Sequence, residues 1–350
     1  LINLKFLFIR FSSLGDILLT FPAISYLKNT YPNSTIHFVS KSQFHDILKL
    51  NHSIDEIILF DEKNDSMSKL KKIIKHNNYD YIIDLHNNIR SRLLSLFLPN
   101  KIFRFNKHSL KKFLLVKTKI NLLKNYPNII KRYFLTFNKI LELDENKFDK
   151  YLEIYKINVT DYENLIDLEK FIQNDNNDLI AFCPSAKHKT KIFPLGKFAK
   201  IGRELLKKRK RTIILFGSKE EYQYCEELRI AISSESCINM AGKTTLIETS
   251  LLLNKCKLIV TNDTGLMHLG NLLKIPLIAI FGSTVKELGF FPFGNTSFVI
   301  ENIGLKCRPC SHIGLNKCPK KHFKCMNDID ESVIIKKANE FLNNNITLEE

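Results

Sequence analysis

Short apolar runs, each closed by small or polar residues and followed by helical spacing, recur along the chain. Leu4-Lys5-Phe6-Leu7-Phe8-Ile9-Arg10 breaks at Ser12-Ser13-Leu14-Gly15-Asp16, after which Ile17, Leu18, Phe21, Ile24 and Leu27 repeat at helical spacing. Pro22 falls inside that repeat, so the helix either kinks or begins there after a short first turn. Ile36-His37-Phe38-Val39 is the next strand, which completes a βαβ unit and predicts a parallel sheet. Ile57-Ile58-Leu59-Phe60 and Tyr81-Ile82-Ile83-Asp84-Leu85 continue the series, with an amphipathic helix through Leu70, Ile73 and Ile74 between them.

The chain turns polar between Tyr155 and Asn177, where a domain boundary is expected, and Asn174 to Asp178 reads as a loop. Leu179-Ile180-Ala181-Phe182-Cys183 restarts the alternation, followed by Thr212-Ile213-Ile214-Leu215-Phe216. Leu258-Ile259-Val260 and Leu277-Ile278-Ala279-Ile280-Phe281 flank a helix closed by Pro276, and Val333 to Leu342 reads as a closing helix. The pattern predicts an α/β protein with two Rossmann-like domains, 1–165 and 178–328, and a terminal helix and tail at 329–350.

Composition fits this picture: hydrophobic residues make up 44% and charged residues 25%, globular values, and 350 residues suffice for two domains. No apolar run reaches the roughly 20 residues of a membrane span, and the first strand lacks a signal-peptide pattern, so the expected location is cytoplasmic. The formal charge is +17. Between Asp84 and Glu142 there is no acidic residue, while thirteen Lys or Arg fall in that interval. A one-sign block of this length concentrates anionic partners: a phosphorylated lipid or sugar, an anionic bilayer, or nucleic acid. Mixed stretches such as Leu110-Lys111-Lys112-Phe113-Leu114-Leu115 read either as a segment resting on a membrane or as an ordinary solvated helix face.

The chemistry-bearing residues cluster where strands end, which is where open α/β sheets bind ligands. Asn262-Asp263-Thr264-Gly265 ends a strand and opens a helix; Asp263 or Thr264 can cap it, and His268 shares a face with Thr264. Such a helix start suits a phosphate. G-x-G-x-x-G is absent, which disfavours a nicotinamide dehydrogenase, and Gly242-Lys243-Thr244 lacks the Walker spacing. Cys307, Cys310, Cys318 and Cys325, interleaved with His312 and His322, have a spacing compatible with structural zinc. No helix-turn-helix or RNA-binding signature accompanies the basic charge, so specific nucleic-acid binding is not expected.

Three stretches carry a family resemblance. TNDTGLMHLGNLLKIPLIAIFGST (261–284) resembles the C-terminal signature of glycosyltransferase family 9, the ADP-heptose:lipopolysaccharide heptosyltransferases. IRFSSLGDILLTFPAI (9–24) resembles its N-terminal motif, and CRPCSHIGLNKCPKKHFKCMNDI (307–329) its cysteine tail. The resemblance spans nearly the whole chain and implies a GT-B architecture, two Rossmann-like domains with parallel sheets facing a central cleft.

The resemblance also implies roles. Asp16 matches the proposed catalytic base, and Ser13 and Gly15 share its turn on the acceptor side. An aspartate is already ionised at neutral pH and can accept a sugar hydroxyl's proton, with positioning supplying much of the acceleration. Asp84-Leu85-His86 resembles the family's Asp-Leu-Gln segment, with His86 in place of glutamine, and makes His86 and Arg90 acceptor candidates. Lys191 matches a family lysine beside the leaving diphosphate, although Ile192-Phe193 departs from the usual basic-aromatic pair. Donor-binding expectations fall on Ser185, Glu220 or Glu221, Gly242, Asp263, Thr264, Gly265 and His268. The cysteine tail is not an established catalytic metal site, so neither a catalytic metal nor any other cofactor is expected.

The implied reaction is an inverting transfer of heptose from ADP-L-glycero-D-manno-heptose to inner-core lipopolysaccharide. Its acceptor would be a lipid A-Kdo core at the inner face of the cytoplasmic membrane, with peripheral membrane contact a further expectation. Another nucleotide-sugar donor is the alternative within the family, and a basic nucleic-acid-binding protein the alternative outside it.

Overall fold

Continuous apolar runs become central strands because a parallel sheet covered by helices on both faces leaves no polar side to its strands. The computed structural model describes residues 3–61, 66–96, 101–141, 144–165, 177–208 and 210–344. The chain divides into two compact units, Leu1–Ser109 with Pro127–Ile157 and Leu110–Tyr126 with Asn158–Glu350. This division is less simple than a single boundary between 165 and 178. Of the loop expected at Asn174 to Asp178, residues 174–176 lie outside the described residues.

The first unit holds β1 (Lys5–Ile9), β2 (Thr35–Lys41), β3 (Glu56–Phe60), β4 (Tyr81–Asp84) and β5 (Lys101–Arg104). They lie in the order β3-β2-β1-β4-β5, every pair parallel, with Phe8 opposite both Phe38 and Ile83. Its helices are α1 (Leu14–Leu18), α2 (Phe21–Thr30), α3 (His45–Lys49), α4 (Met67–His76) and α5 (Ile89–Leu94). After α6 (Ser109–Lys117) come α7 (Ile129–Leu141) and α8 (Glu145–Ile154). Pro22 stands in the first turn of α2, so a separate helix begins there, where proline's missing N–H costs nothing. From α7, Phe137 meets Phe8 edge-on at 5.6 Å and Phe134 stacks on Phe148 of α8 at 4.0 Å, which fixes the helix that carries the fully buried Tyr133.

The second unit holds β6 (Asp178–Cys183), β7 (Arg211–Leu215), β8 (Cys237–Asn239), β9 (Leu258–Asn262), β10 (Leu277–Phe281) and β11 (Ser297–Glu301). Their order is β11-β10-β9-β6-β7-β8, again all parallel. Helices α9 (Leu195–Leu206), α10 (Tyr222–Ile232), α11 (Leu246–Asn254), α12 (Gly265–Leu272), α13 (Lys324–Asn327) and α14 (Glu331–Asn344) accompany it. The core gathers Phe182, Phe193, Phe198, Val260, Ile280 and Met326, all fully buried. The segment Leu110–Tyr126 belongs here: Lys119 Nζ donates to the carbonyls of Cys307 (3.1 Å) and Pro309 (2.6 Å), and Asn121 Nδ2 to Glu287 Oε1 (2.9 Å).

Strands β5, β8 and β11 have no counterpart in the apolar pattern. Each stands at a sheet edge, and β5 and β11 are nowhere fully buried, so no continuous apolar run marks them.

In both units the strand order reverses beside the first strand, between β1 and β4 and between β6 and β9. At such a switch point the connections leave in opposite directions and open a crevice at the strands' carboxyl ends. The residues next along the chain there are Arg10 to Asp16 and Leu85 to Ser91 in the first unit, Pro184 to Lys191 and Asp263 to Gly265 in the second.

Candidate functional site

In the first unit the turn after β1 is built around one carboxylate. Arg10 is buried; its Nη1 donates to the Leu85 carbonyl (2.6 Å), its Nε to the Ser12 carbonyl (2.8 Å), and its Nη2 reaches Asp16 Oδ2 at 2.8 Å. Ser13 precedes α1, with its hydroxyl (2.8 Å) and N–H (3.4 Å) both directed at the same Oδ2. Among the described residues Asp16 Oδ1 accepts only the longer bond from Tyr133 Oη, at 3.3 Å. One oxygen is therefore saturated, and the other retains accepting capacity. Burial opposes the charged carboxylate, but the Arg10 guanidinium and the Ser13 hydroxyl and N–H hold its pKa below the usual value. Burial pushes the Tyr133 phenol well up, so it remains a donor.

Gly15 is buried behind this turn and Ser13 is exposed. At the end of β4 the buried Asp84 accepts from the N–H groups of His86 (3.0 Å) and Asn87 (2.7 Å) and from Ser91 Oγ (2.8 Å), so it organises its own loop. The His86 ring lies edge-on to Phe11 at 5.3 Å, and its buried Nδ1 has no hydrogen-bond partner among the described residues. Burial, then Arg10 and Lys107, lower its pKa to about 4, leaving a neutral imidazole at physiological pH. Arg90 is exposed on α5. Sequence reasoning missed Arg10 and Tyr133; Arg10 sits in the quoted motif, whereas nothing local marks Tyr133, 117 positions from Asp16.

In the second unit three turns converge. Asn262 is fully buried, donating to the Pro184 carbonyl (2.6 Å) and accepting from the Phe193 N–H (3.2 Å), which ties the turn after β9 to the one after β6. Lys191 Nζ lies 2.7 Å from Asp263 Oδ2, which also accepts from Thr284 Oγ1 after β10 (2.8 Å). Thr264, not Asp263, caps α12, its hydroxyl accepting from the Met267 N–H at 3.3 Å. His268 is buried one turn along, 6.2 Å between its ring and that of Phe290. Ser185 is buried in the turn after β6. Arg308, unassigned by sequence reasoning, braces the far side: it donates to the Gly282 and Thr284 carbonyls and pairs with Glu301 at 2.6 Å.

The turn after β7 separates the two glutamates left open by the sequence. Glu221 Oε2 accepts from the Ser218 N–H at 2.7 Å and closes its own turn, while Glu220 is exposed, its carboxylate accepting from the Ser218 side chain and its own backbone N–H. Gly242 has φ +68°, and a Cβ there would stand 2.6 Å from the Lys219 Cα, so only glycine lets these two loops touch.

In the cysteine tail all four thiols are free, and Cys307 Sγ lies 3.9 Å from His322 Nε2. Among the described residues no group of three or more His, Cys, Asp or Glu is arranged to hold a metal ion. Within the tail Ser311 Oγ accepts from the N–H groups of Ile313 and Gly314, both at 3.1 Å.

Comparison with known proteins places the chain in a family. The family model of glycosyltransferase family 9 (heptosyltransferase) matches residues 67–321. The lipopolysaccharide heptosyltransferase 1 of Campylobacter coli is 27% identical over 350 residues, covering 96% of this chain and 98% of its own length. The lipopolysaccharide heptosyltransferase 2 of Escherichia coli K12 is 25% identical over 296 residues, covering 81% and 84%. The solved structure of E. coli ADP-heptose lps heptosyltransferase II is similar in fold, with a TM-score of 0.75 at 24% identity over 98% of this chain and 99% of that one. Two parallel-sheet Rossmann-like units of GT-B type, with a matched family model over most of the length, establish that the chain belongs to glycosyltransferase family 9, the heptosyltransferases.

Proposed function

We propose that this chain transfers L-glycero-D-manno-heptose from its ADP derivative to the inner core of lipopolysaccharide, inverting the anomeric centre, with Asp16 as general base. The observation that carries the reading is the asymmetric carboxylate. Arg10 and Ser13 occupy Oδ2 and fix the group's orientation, while Oδ1 keeps room for a second donor. An acceptor hydroxyl placed there gives up its proton as its oxygen bonds to the anomeric carbon and the bond to the diphosphate breaks. The low pKa makes Asp16 a weak base, but keeps it ionised throughout the neutral range, so catalysis rests on placement.

Holding the donor falls to the second unit. The Lys191 ammonium has three protons and spends one on Asp263, leaving two for phosphate oxygens. The start of α12, at Thr264 and Gly265, offers N–H groups and the positive end of a helix dipole to the same anion, with His268 on that face. These groups meet charge that grows on the leaving ADP. Ser185 and Gly242 line the turns beside it, and Glu220, the more exposed of the two glutamates, is the carboxylate suited to ribose hydroxyls. His86 and Arg90, with Ser13 and Gly15, are assigned to the acceptor.

The relatives' names support heptose and lipopolysaccharide as donor sugar and acceptor class. The test is a transfer assay with ADP-heptose, other ADP-sugars and UDP-sugars against defined truncated core acceptors. Transfer from ADP-heptose alone is expected; preferred use of another donor overturns the assignment.

A further inference from the structure

Helix α6 presents two unlike sides. At about 100° per residue, Lys111, Lys112 and Leu115 fall on one side and Leu110, Phe113, Leu114 and Lys117 on the other. The first side is packed: Leu115 is buried with Leu123 and Leu288, Lys111 Nζ donates to Tyr126 Oη, and Lys112 Nζ lies 5.9 Å from the Phe290 ring centroid. On the second side Leu110 is 72% and Phe113 56% exposed. Just beyond, where Lys119 pins the chain to two carbonyls, Ile120 is 53% and Leu122 49% exposed. A single exposed leucine is ordinary; four large apolar side chains within thirteen residues, on a fastened segment, mark an interaction surface.

Charge identifies what covers it. Lys117, Lys119 and Lys124 are all exposed along this stretch, inside the interval that holds no acidic residue. A protein partner imposes no such one-sign rule, whereas lysines flanking an apolar ridge match a bilayer whose headgroups carry negative charge. Lysine stems can lie along the apolar surface while the ammonium reaches phosphate. Among the described residues no helix is long and apolar enough to cross a membrane, so contact would be lateral. The same acid-free interval exposes Ile89 (78%) and Leu93 (55%), one turn apart on α5.

We propose that residues 109–124 form a docking face for an anionic phospholipid bilayer, with Leu110, Phe113, Ile120 and Leu122 entering the headgroup boundary and Lys117 and Lys124 meeting lipid phosphates. The inference stands on this segment and not on the transfer chemistry. The test is co-sedimentation of the full chain with phosphatidylcholine vesicles and with vesicles containing phosphatidylglycerol. Wild type should bind the anionic vesicles and not the neutral ones, more weakly as salt rises. The pair Leu110→Ser and Phe113→Ser should weaken binding at least about tenfold, with the melting temperature unchanged. Lys117→Glu, which spares the apolar ridge, should weaken it several-fold. Failure of wild type to bind, equal binding by all variants, or a concentration-dependent dimer that the double variant abolishes would overturn the proposal.

Discussion

Asp16 is held by Arg10, Ser13 and Tyr133, and the last of these makes a separable prediction. Tyr133→Phe removes the only donor to Oδ1 among the described residues and leaves the Arg10 and Ser13 contacts in place. It should lower kcat by roughly tenfold, within the range of general-base positioning, with donor Kd unchanged by calorimetry; a change in Kd alone would contradict that role. His86 makes a pH prediction. Its folded pKa, about 4 against an ordinary 6.5, is depressed by burial, so the unfolded chain binds the proton more readily. Stability therefore falls as pH drops from 6.5 towards 4, and urea midpoints at pH 7 and pH 5 should differ more for wild type than for His86→Gln. The position of Asp16, Lys191, Thr264 and His268 beyond strand ends was legible because they lie in contiguous motifs. Tyr133 was not, because its role depends on aromatic packing that carries α7 across 117 positions. Glu220 and Glu221 are chemically identical neighbours, and only the folded turn distinguishes them, leaving Glu220 the more exposed.

Turns and strands show where element-level reasoning stops. The central strands announced themselves because burial on both faces demands unbroken apolar runs; β5, β8 and β11 did not, because an edge strand needs no such run. Pro22 signalled an interruption that the pattern alone left undecided, and the structure places a new helix start there. Gly242 tests the most constrained turn. Gly242→Ala would need a side chain at φ +68° and 2.6 Å from the Lys219 Cα, so it should cost at least about 2 kcal/mol and shift the loop that carries Glu220. Urea denaturation reads the first effect and ADP affinity the second; wild-type values for both would refute the close contact.

The whole chain is two tellings of one topology. The order β3-β2-β1-β4-β5 in the first unit and β11-β10-β9-β6-β7-β8 in the second both reverse beside the first strand, which is why the polar clusters fall after β1, β4, β6 and β9. Alternating strands and helices made this fold class readable, but the strip Leu110–Tyr126 was not readable as part of the second unit. Its attachment rests on long-range contacts such as Lys119 to the Cys307 and Pro309 carbonyls. Because the diphosphate is assigned to the second unit, ADP at about a hundred times its Kd should stabilise the protein by about 2.7 kcal/mol, with hydrogen-exchange protection concentrated at the turns after β6, β7 and β9. Protection centred instead on residues 10–16 would reverse the assignment of donor and acceptor. The central claim, that the Asp16 carboxylate takes the acceptor's proton, is tested most directly by kcat and donor Kd for Asp16→Asn, which keeps shape and removes basicity. A kcat lowered by at least about a hundredfold at unchanged donor Kd is the expected result; a kcat near that of wild type would contradict it.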